Sequence, residues 1–312
     1  MGSPCKIFDT HVGASILNEN RSSYTLDAVL TEYGFDGKDD QLLKQAARYF
    51  KVNQSKKQMM SNLAMMPAKY VGPYGERDAS GALDLYSNMI KEISDQGMDK
   101  LCDVEMQMVL LALKMRKKGI RVDVGRATKL NEDWIKEQRE IENKISSAVG
   151  FPVHPTNPDD LERLCRYEGV FDIPKTPKSE ELSFTKPWMT SLHLDSFDWV
   201  VKWRNIQHSR NNYVEGIVLT KAIEGRVFPE INTVKRDDGG TVSGRISVNN
   251  PPLQQISARN PEIGPAVRSC FIPEQETEWY AFDYSQQEPR LSVHFAALTQ
   301  ITAIATAISA TI

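Results

Sequence analysis

The feature that most constrains this chain is a short apolar run, residues 279–282 (Trp-Tyr-Ala-Phe), that ends directly at Asp283. Such a run is typical of a strand buried in a protein core. The residues that follow, 284–290 (Tyr-Ser-Gln-Gln-Glu-Pro-Arg), predict a turn into a helix, and Pro289 is tolerated because it falls in the first helical turn. A carboxylate in this position is held rigidly and can face a metal ion, although an aspartate here can also simply cap the helix.

A second group of residues lies upstream of this octet and keeps a regular order. It runs Thr-Val-Ser-Gly-Arg-Ile-Ser (241–247), then Pro-Leu-Gln-Gln-Ile (252–256), then Arg259, Arg268 and Phe271. Together with residues 283–290, the order and spacing resemble the first palm motifs of family A (DNA polymerase I-like) DNA polymerases. Few residues depart from the usual family motifs, and these are Ser243, Pro252, Ser257, Gln287 and Pro289. The Gln-Gln-Glu-Pro-Arg version favours a phage-like member.

The resemblance implies an α/β (α+β) fold in three parts. Residues 1–96 resemble the C-terminal part of a ribonuclease H-like 3′-5′ exonuclease domain. Residues 97–215 resemble the helical connection and thumb, and residues 216–312 resemble the N-terminal part of the palm sheet. After residue 298 the resemblance stops.

The resemblance also implies a catalytic centre in the palm. Asp283 is expected to bridge two Mg²⁺ ions, with the backbone carbonyl of Tyr284 as a further ligand, because Mg²⁺ prefers hard oxygen donors. Glu288 is expected to lie against the sugar of the incoming nucleotide, where it leaves no room for a ribose 2′-hydroxyl. Arg290 is expected to support this arrangement by pairing with an acid. The second set of metal ligands and the nucleotide-binding fingers helix of the family are not found in this sequence.

The resemblance to the family implies that five further residues contact the substrates. Arg245 resembles the arginine that tests the minor-groove edge at the primer terminus, where every correct base pair presents hydrogen-bond acceptors. Gln254 is a weaker candidate for a contact to the nearby duplex. Arg259 resembles the residue that faces the triphosphate. Arg204 and His208, four residues apart on one helix face, resemble a basic pair against the duplex backbone, and a histidine makes that contact pH-sensitive.

The N-terminal part carries a remnant of a proofreading motif. Tyr74 and Asp78 give the Tyr-x-x-x-Asp spacing with which the family's exonucleases orient a water and hold metal, here at the predicted start of a helix. The two upstream acidic motifs of the exonuclease are missing, and Asp9 is interpreted as structural. One carboxylate cannot hold two divalent metals, so this half-site is not expected to hydrolyse DNA.

Hydrophobic periodicity predicts several elements. A helix from residue 74 to Gly97 buries Leu85, Met89 and Ile93, and a second helix ends at Gly119. The expected apolar stripe of this second helix is Val104, Met108, Leu111 and Met115. Asp123 is expected to cap a third helix closed by Gly150, with its inward face formed by Leu130, Trp134, Ile141 and Ile145. Residues 226–234 and the segment from Thr241 are expected to form a hairpin around residues 237–240.

Composition sets the expected surroundings of the protein. The net charge is −3, but residues 201–272 hold ten Lys and Arg against six Asp and Glu, which favours a local nucleic-acid surface. The four cysteines are scattered and favour a reducing compartment. No apolar run approaches a membrane span. We expect a cytoplasmic protein, monomeric when complete, with primer-template DNA and deoxynucleoside triphosphates as partners and no membrane partner.

Two alternatives stay open at the level of the sequence. A single-subunit RNA polymerase relative is one, although Glu288 and the Leu-Gln-Gln-Ile segment (253–256) argue against it. A non-catalytic remnant that binds duplex DNA is the other, and the missing motifs favour it for this chain alone. As a polymerase fragment, the 312-residue chain is expected to be inactive by itself.

Overall fold

The fold is built mainly from α-helices with a few short antiparallel strands. The structure, a computed structural model, describes residues 7–37, 40–50, 56–235, 240–241, 244–257 and 260–298. The helices of these residues are α1 Thr10–Leu17, α2 Leu26–Glu32, α3 Gln41–Tyr49, α4 Lys56–Ser61, α5 Ala68–Asp95, α6 Asp99–Lys118, α7 Val124–Val149, α8 Pro158–Tyr167, α9 Lys186–Ser191, α10 Asp195–Ser209, α11 Ile263–Arg268 and α12 Gln287–Leu298. The strands are β1 Ile120–Arg121, β2 Arg226–Val227, β3 Glu230–Asn232 and β4 Ser247–Asn249. This agrees with the predicted α/β (α+β) class.

Three non-α helical segments are also described. Two are 3-10 helices, Leu63–Met65 and Leu253–Gln255, and the third is a π-helix, Arg210–Leu219, that continues α10. The chain forms two compact units, residues 1–272 and residues 273–312. Among the helices described, none combines the length and apolarity that a bilayer span requires.

The long helix α5 organises the N-terminal part of the first unit. Leu85, Met89 and Ile93 are buried on one face, as predicted, and each buried side chain contributes about 1.5–3 kcal/mol. The helix ends at Gly97 with φ +69°, where the Gly97 N–H donates to Ser94 O (2.9 Å) and the Met98 N–H donates to Ile93 O (2.9 Å). This pair of bonds is a Schellman motif, which favours glycine because the backbone is left-handed.

The predicted start of α5 was wrong. The helix begins at Ala68, so Tyr74 and Asp78 lie inside it, beyond Pro73. A proline is best tolerated in the first turn of a helix, whereas Pro73 lies in the second turn, where it removes one backbone hydrogen bond and crowds the carbonyl four residues earlier. Tyr74 instead packs against a small apolar cluster with Leu43 and Met59 at its centre.

Helix α6 has the predicted end but buries a different face. It stops at Lys118, and Gly119 follows with φ +65°. Cys102 and Met106 are the buried residues, and they pack with Val12 and Ile93. The predicted stripe is largely exposed, as at Val104 (56%), Leu111 (47%) and Met115 (51%). The stripe was ambiguous because α6 carries apolar residues on more than one side, so periodicity alone does not identify the packed face.

The largest apolar cluster surrounds α7, α10 and the π-helix. Trp134, Ile141 and Ile145 of α7 are buried with Phe197 of α10, and Leu130 packs against them at the edge. The Asp123 carboxylate accepts a hydrogen bond from the Arg126 N–H (2.9 Å), and Gly150 closes the helix with φ +77°. The prediction for α7 is therefore confirmed at both ends and along its inward face.

The predicted hairpin forms, with shorter strands than expected. β3 pairs antiparallel with β4, with Ile231 opposite Val248. β2, expected to be continuous with β3, pairs instead with β1, with Ile120 opposite Val227. Pro229 separates β2 from β3 and has no N–H to donate to a ladder, which explains the break. Residues 237–239 of the predicted turn lie outside the described residues.

The second unit departs most from expectation. Residues 277–284 have no regular secondary structure, so the predicted buried strand ahead of Asp283 is wrong. Trp279, Tyr280 and Phe282 are 63%, 73% and 94% exposed. An apolar run forms a core strand only when other strands pair with it, and no described strand pairs with this one. The helix predicted behind the aspartate does form, as α12.

Candidate functional site

Arg245 lies on an exposed segment that leads into β4. Gly244 before it adopts φ +69°, a left-handed conformation that suits glycine. The Thr241 hydroxyl donates to the Arg245 carbonyl at 2.6 Å. The backbone at Arg245 is therefore fixed from one side by a side chain of the same motif, while the arginine side chain itself lies at the surface.

Gln254 binds the backbone of this same segment. Its amide nitrogen donates to the Ile246 carbonyl (3.0 Å), and its amide oxygen accepts from the Val248 N–H (3.0 Å). The structure thus brings Gln254 and the Arg245 segment together through two hydrogen bonds. The contact to duplex expected for Gln254 competes with these internal bonds for the same amide group.

The Arg204 guanidinium donates hydrogen bonds to backbone carbonyls of the protein itself. Its Nε donates to Pro155 O (2.7 Å), and its Nη1 donates to Phe184 O (2.7 Å). Burial lowers the pKa of Arg204 from its ordinary value, but a guanidinium stays protonated in proteins. These two bonds join helix α10 to two surrounding loops, and this geometry favours a structural role over the expected contact to the duplex backbone.

His208 lies one turn further along α10 and is exposed. Its Nδ1 lies 2.9 Å from the Asn212 amide nitrogen, and its ring meets the Tyr213 ring edge-on at 5.7 Å. Arg204 and His208 are thus on one helix, as predicted, but Arg204 is half-buried whereas His208 is exposed. Arg259, the expected triphosphate contact, lies outside the described residues.

One residue that supports this site was given no role by sequence reasoning. Tyr213 of the π-helix is buried, and its hydroxyl donates to Gln255 O at 2.7 Å. This bond joins the π-helix to the 3-10 helix that carries Gln254. The sequence feature that could have identified Tyr213 is its position in an apolar helix face, because a buried tyrosine generally finds a hydrogen-bond partner for its hydroxyl.

The candidate palm residues Asp283, Tyr284 and Glu288 lie in the second unit, on its surface. Glu288 lies in the first turn of α12, where a negative charge is favourable. Arg290 donates from Nε to Ser285 O (2.9 Å). Arg290 therefore binds a carbonyl of the turn that follows Asp283, where pairing with an acid had been predicted.

The donor chemistry at Asp283 suits a hard cation. A carboxylate and the neighbouring Tyr284 carbonyl are oxygen ligands of the kind that Mg²⁺ prefers. Within the described part of the chain, no group of three or more His, Cys, Asp and Glu side chains is arranged to hold a metal ion. Asp283 and Asp78, the two carboxylates predicted to bind metal, therefore belong to no such group among the described residues.

The cysteines that the structure describes offer no reactive centre. Cys102, Cys165 and Cys270 are free and buried. Burial raises the pKa of the Cys165 thiol to about 11, mainly by disfavouring the thiolate. A thiol of this kind is a core residue rather than a nucleophile.

Comparisons with known proteins give the family of the chain. Residues 125–308, more than half of the chain, match the sequence model of DNA polymerase family A. A "DNA polymerase DpoZ" of Salmonella phage PMBT28 is 28% identical over 302 residues, covering 92% of this chain and 48% of the phage protein. DNA polymerase I of Bacillus subtilis (strain 168) is 25% identical over 296 residues, covering 93% of this chain and 31% of the relative.

Solved structures agree at the level of the fold. The POL domain of Pol1 from M. smegmatis, solved in complex with a DNA primer-template and dNTP, superposes with a TM-score of 0.59 at 21% identity, covering 93% of this chain and 45% of that one. The chain spans about half the length of the phage relatives it matches. The match along residues 125–308 runs through both motif regions, and the chain therefore belongs to DNA polymerase family A.

Proposed function

We propose that the complete protein is a DNA-directed DNA polymerase that joins deoxynucleotides to a primer under the direction of a template. The observation that carries this proposal is the family match over residues 125–308, a span that contains both Arg245 and Asp283. Its substrates are primer-template DNA and deoxynucleoside triphosphates. We place it in the cytoplasm as a monomer. The single-subunit RNA polymerase alternative loses its support with the family match.

Each candidate residue has a separate task in this proposal. Asp283 and the Tyr284 carbonyl hold Mg²⁺, which when bound stabilises charge on the attacking and leaving oxygens. Glu288 excludes a ribose 2′-hydroxyl beside the incoming sugar. Arg245 donates to the minor-groove acceptors that all correct base pairs share. Arg259 binds the triphosphate as a fork of donors.

The proposed division of the chain follows the same family. Residues 1–96 correspond to the end of a 3′-5′ exonuclease domain, 97–215 to the connection and thumb, and 216–312 to the start of the palm. Tyr74 and Asp78 are what this chain holds of the exonuclease site. We propose that the 312-residue chain alone has neither activity.

Sugar selection provides the test of this assignment. In the protein completed to the length of its relatives, Glu288→Ala should admit ribonucleotides, because a smaller side chain leaves room for the 2′-hydroxyl. Asp283→Ala should abolish synthesis. The measurement is steady-state incorporation of dATP against ATP on a primed template.

Gln287→Ala, one residue before Glu288 on the same helix, is the matched control and should keep the selectivity of the parent protein. Unchanged discrimination in the Glu288 variant would remove the steric role. Full synthesis by the Asp283 variant would remove the polymerase assignment of this motif.

A second candidate function is duplex binding without catalysis by this chain. The observation that favours it is the incomplete set of metal donors within the described residues. Binding should depend steeply on salt and little on sequence, because phosphate contacts release counterions. Titrating a labelled duplex at several salt concentrations checks this, and an affinity that does not change with salt would contradict it.

A further inference from the structure

The inference concerns Gln254 and deepens the proposed function, on which it rests. The Gln254 side chain lies at the surface, yet both ends of its amide group are bound to the protein. The nitrogen donates to Ile246 O and the oxygen accepts from Val248 N–H, each at 3.0 Å. A surface glutamine that satisfies two backbone groups at once is placed to hold a segment of chain in one conformation.

The geometry resembles an added strand. Ile246 and Val248 are two residues apart, so the carbonyl of one and the N–H of the other point to the same edge of the segment. Ser247 and Asn249, with the alternate orientation, lie opposite Asn232 and Glu230 of β3. A neighbouring strand would normally satisfy the outer edge of β4 with a donor and an acceptor from its backbone. The Gln254 amide supplies that same donor and acceptor from a side chain.

The segment held in this way begins at Arg245. Thr241 binds the Arg245 carbonyl at 2.6 Å, and Gln254 binds the next carbonyl, that of Ile246. Two consecutive carbonyls are therefore fixed by side chains of the same region. The 3-10 helix that carries Gln254 is itself joined to the π-helix by the bond from Tyr213 to Gln255 O (2.7 Å).

We infer that Gln254 is a positioning residue for Arg245. It acts on the duplex through the backbone of residues 246–248, and its own amide remains bound to the protein while DNA is bound. Arg245 presents its guanidinium to the minor groove from a segment whose conformation is set before DNA arrives. A preorganised donor binds more tightly because less conformational freedom is lost on binding.

A double-mutant cycle in the 312-residue chain tests this inference, with the affinity for a primer-template duplex as the measurement. Arg245→Ala should weaken binding by about tenfold, the loss of one charged hydrogen bond. Gln254→Ala should weaken binding by about three- to fivefold and no more than Arg245→Ala does. In the Arg245→Ala background, Gln254→Ala should have almost no further effect, because a residue that acts through Arg245 has nothing left to position.

Two further measurements separate positioning from folding. The Val248 amide proton should exchange faster with solvent in free Gln254→Ala than in the parent chain, while amides of α7 keep their protection. Gln255→Ala is the matched control, since its side chain is exposed on the same 3-10 helix, and it should leave both affinity and Val248 exchange unchanged.

The possible outcomes distinguish this inference from the function on which it rests. Independent, additive losses from Arg245→Ala and Gln254→Ala would mean that Gln254 contacts DNA directly, and would overturn the inference while leaving the proposed function intact. Unchanged affinity or unchanged Val248 exchange in Gln254→Ala would also overturn it alone. Unchanged affinity in Arg245→Ala would overturn both the inference and the proposed role of Arg245.

Discussion

Arg204 has the residue type and helix position expected of a contact to the DNA backbone, but its hydrogen bonds are those of a structural residue. Sequence reasoning placed it against the duplex backbone, together with His208. Its guanidinium instead donates to Pro155 O and Phe184 O, both at 2.7 Å. Arg204 is half-buried, and a hydrogen bond from a charged donor contributes about 1.5–3 kcal/mol. The energetic role visible at this residue is to hold two loops onto α10.

The structure therefore predicts a stability effect for Arg204. Arg204→Ala should lower the free energy of unfolding by about 2–4 kcal/mol, because two carbonyls lose their charged donors. Chemical denaturation of the 312-residue chain measures this. Lys202→Ala is the control two residues away, since its pair with Glu137 (2.7 Å) is half exposed and should contribute less than about 1 kcal/mol. If Arg204→Ala instead kept the unfolding free energy of the parent chain and showed a flatter salt dependence of DNA binding, the predicted contact of Arg204 with the duplex would be supported.

At the scale of elements, a side-chain bond between α2 and α5 predicts a pH dependence. Tyr33 caps the C-terminal end of α2, and its hydroxyl donates to Glu92 of α5 at 2.7 Å. Burial, and then the hydrogen bond to this carboxylate, raise the pKa of Tyr33 from 10.0 to about 12. The folded state therefore holds the phenol proton more tightly than the unfolded chain does.

The sign of the pH effect follows from that difference. A group with a raised folded-state pKa contributes stability that is complete below its unfolded pKa and is lost as pH rises through the folded one. Stability should thus fall between pH 10 and pH 12 through this group. Tyr33→Phe should flatten the fall in denaturant midpoint over that range, whereas Tyr167→Phe, whose hydroxyl makes a 3.4 Å bond to Ala148 O, should not. An equal alkaline loss in Tyr33→Phe would assign the effect to other groups.

Comparison of α6, α7 and residues 279–282 explains which elements were predictable from sequence. α7 has a capping aspartate, a closing glycine and one apolar stripe, so local rules and packing agree, and its prediction was confirmed. α6 has the same clear end at Gly119 but several apolar sides, and only tertiary packing selects the side that carries Cys102 and Met106. Residues 279–282 have the composition of a strand, but a strand also needs partners that no local pattern supplies.

The candidate site follows the same rule. The motif residues could be named from sequence because their order and spacing are specific. The bonds of Gln254 to Ile246 and Val248 could not be predicted, because a glutamine side chain has several rotamers and the choice depends on β4 being in place. The bond from Tyr213 to Gln255 O spans 42 residues and equally depends on the folded core.

At the scale of the first unit, the N-terminal helices support the hairpin that leads to Arg245. The His11 ring Nε2 donates to Lys235 O at 2.7 Å, and Arg116 of α6 lies 3.5 Å from the Glu230 carboxylate of β3. Val234 packs into the cluster that contains Val12 and Ile93. The N-terminal helices therefore have a structural task in holding this hairpin, whatever further activity they carry.

The last prediction concerns the whole 312-residue chain. We expect it neither to extend primers nor to degrade them. Among the described residues, neither the polymerase candidate Asp283 nor the exonuclease candidate Asp78 belongs to a cluster able to hold a metal pair. Loss of part of a catalytic set typically costs roughly four to six orders of magnitude in rate.

A primer-extension gel with Mg²⁺ and all four deoxynucleotides, sensitive to a single added or removed nucleotide, measures both activities at once. The Asp283→Ala and Asp78→Ala chains serve as matched controls for contaminating enzymes. Extension that disappears in Asp283→Ala, or degradation that disappears in Asp78→Ala, would show that this chain completes a metal site with residues outside the described ranges or with a second copy of itself. Equal traces in all three chains would instead confirm that the 312-residue chain alone carries neither activity.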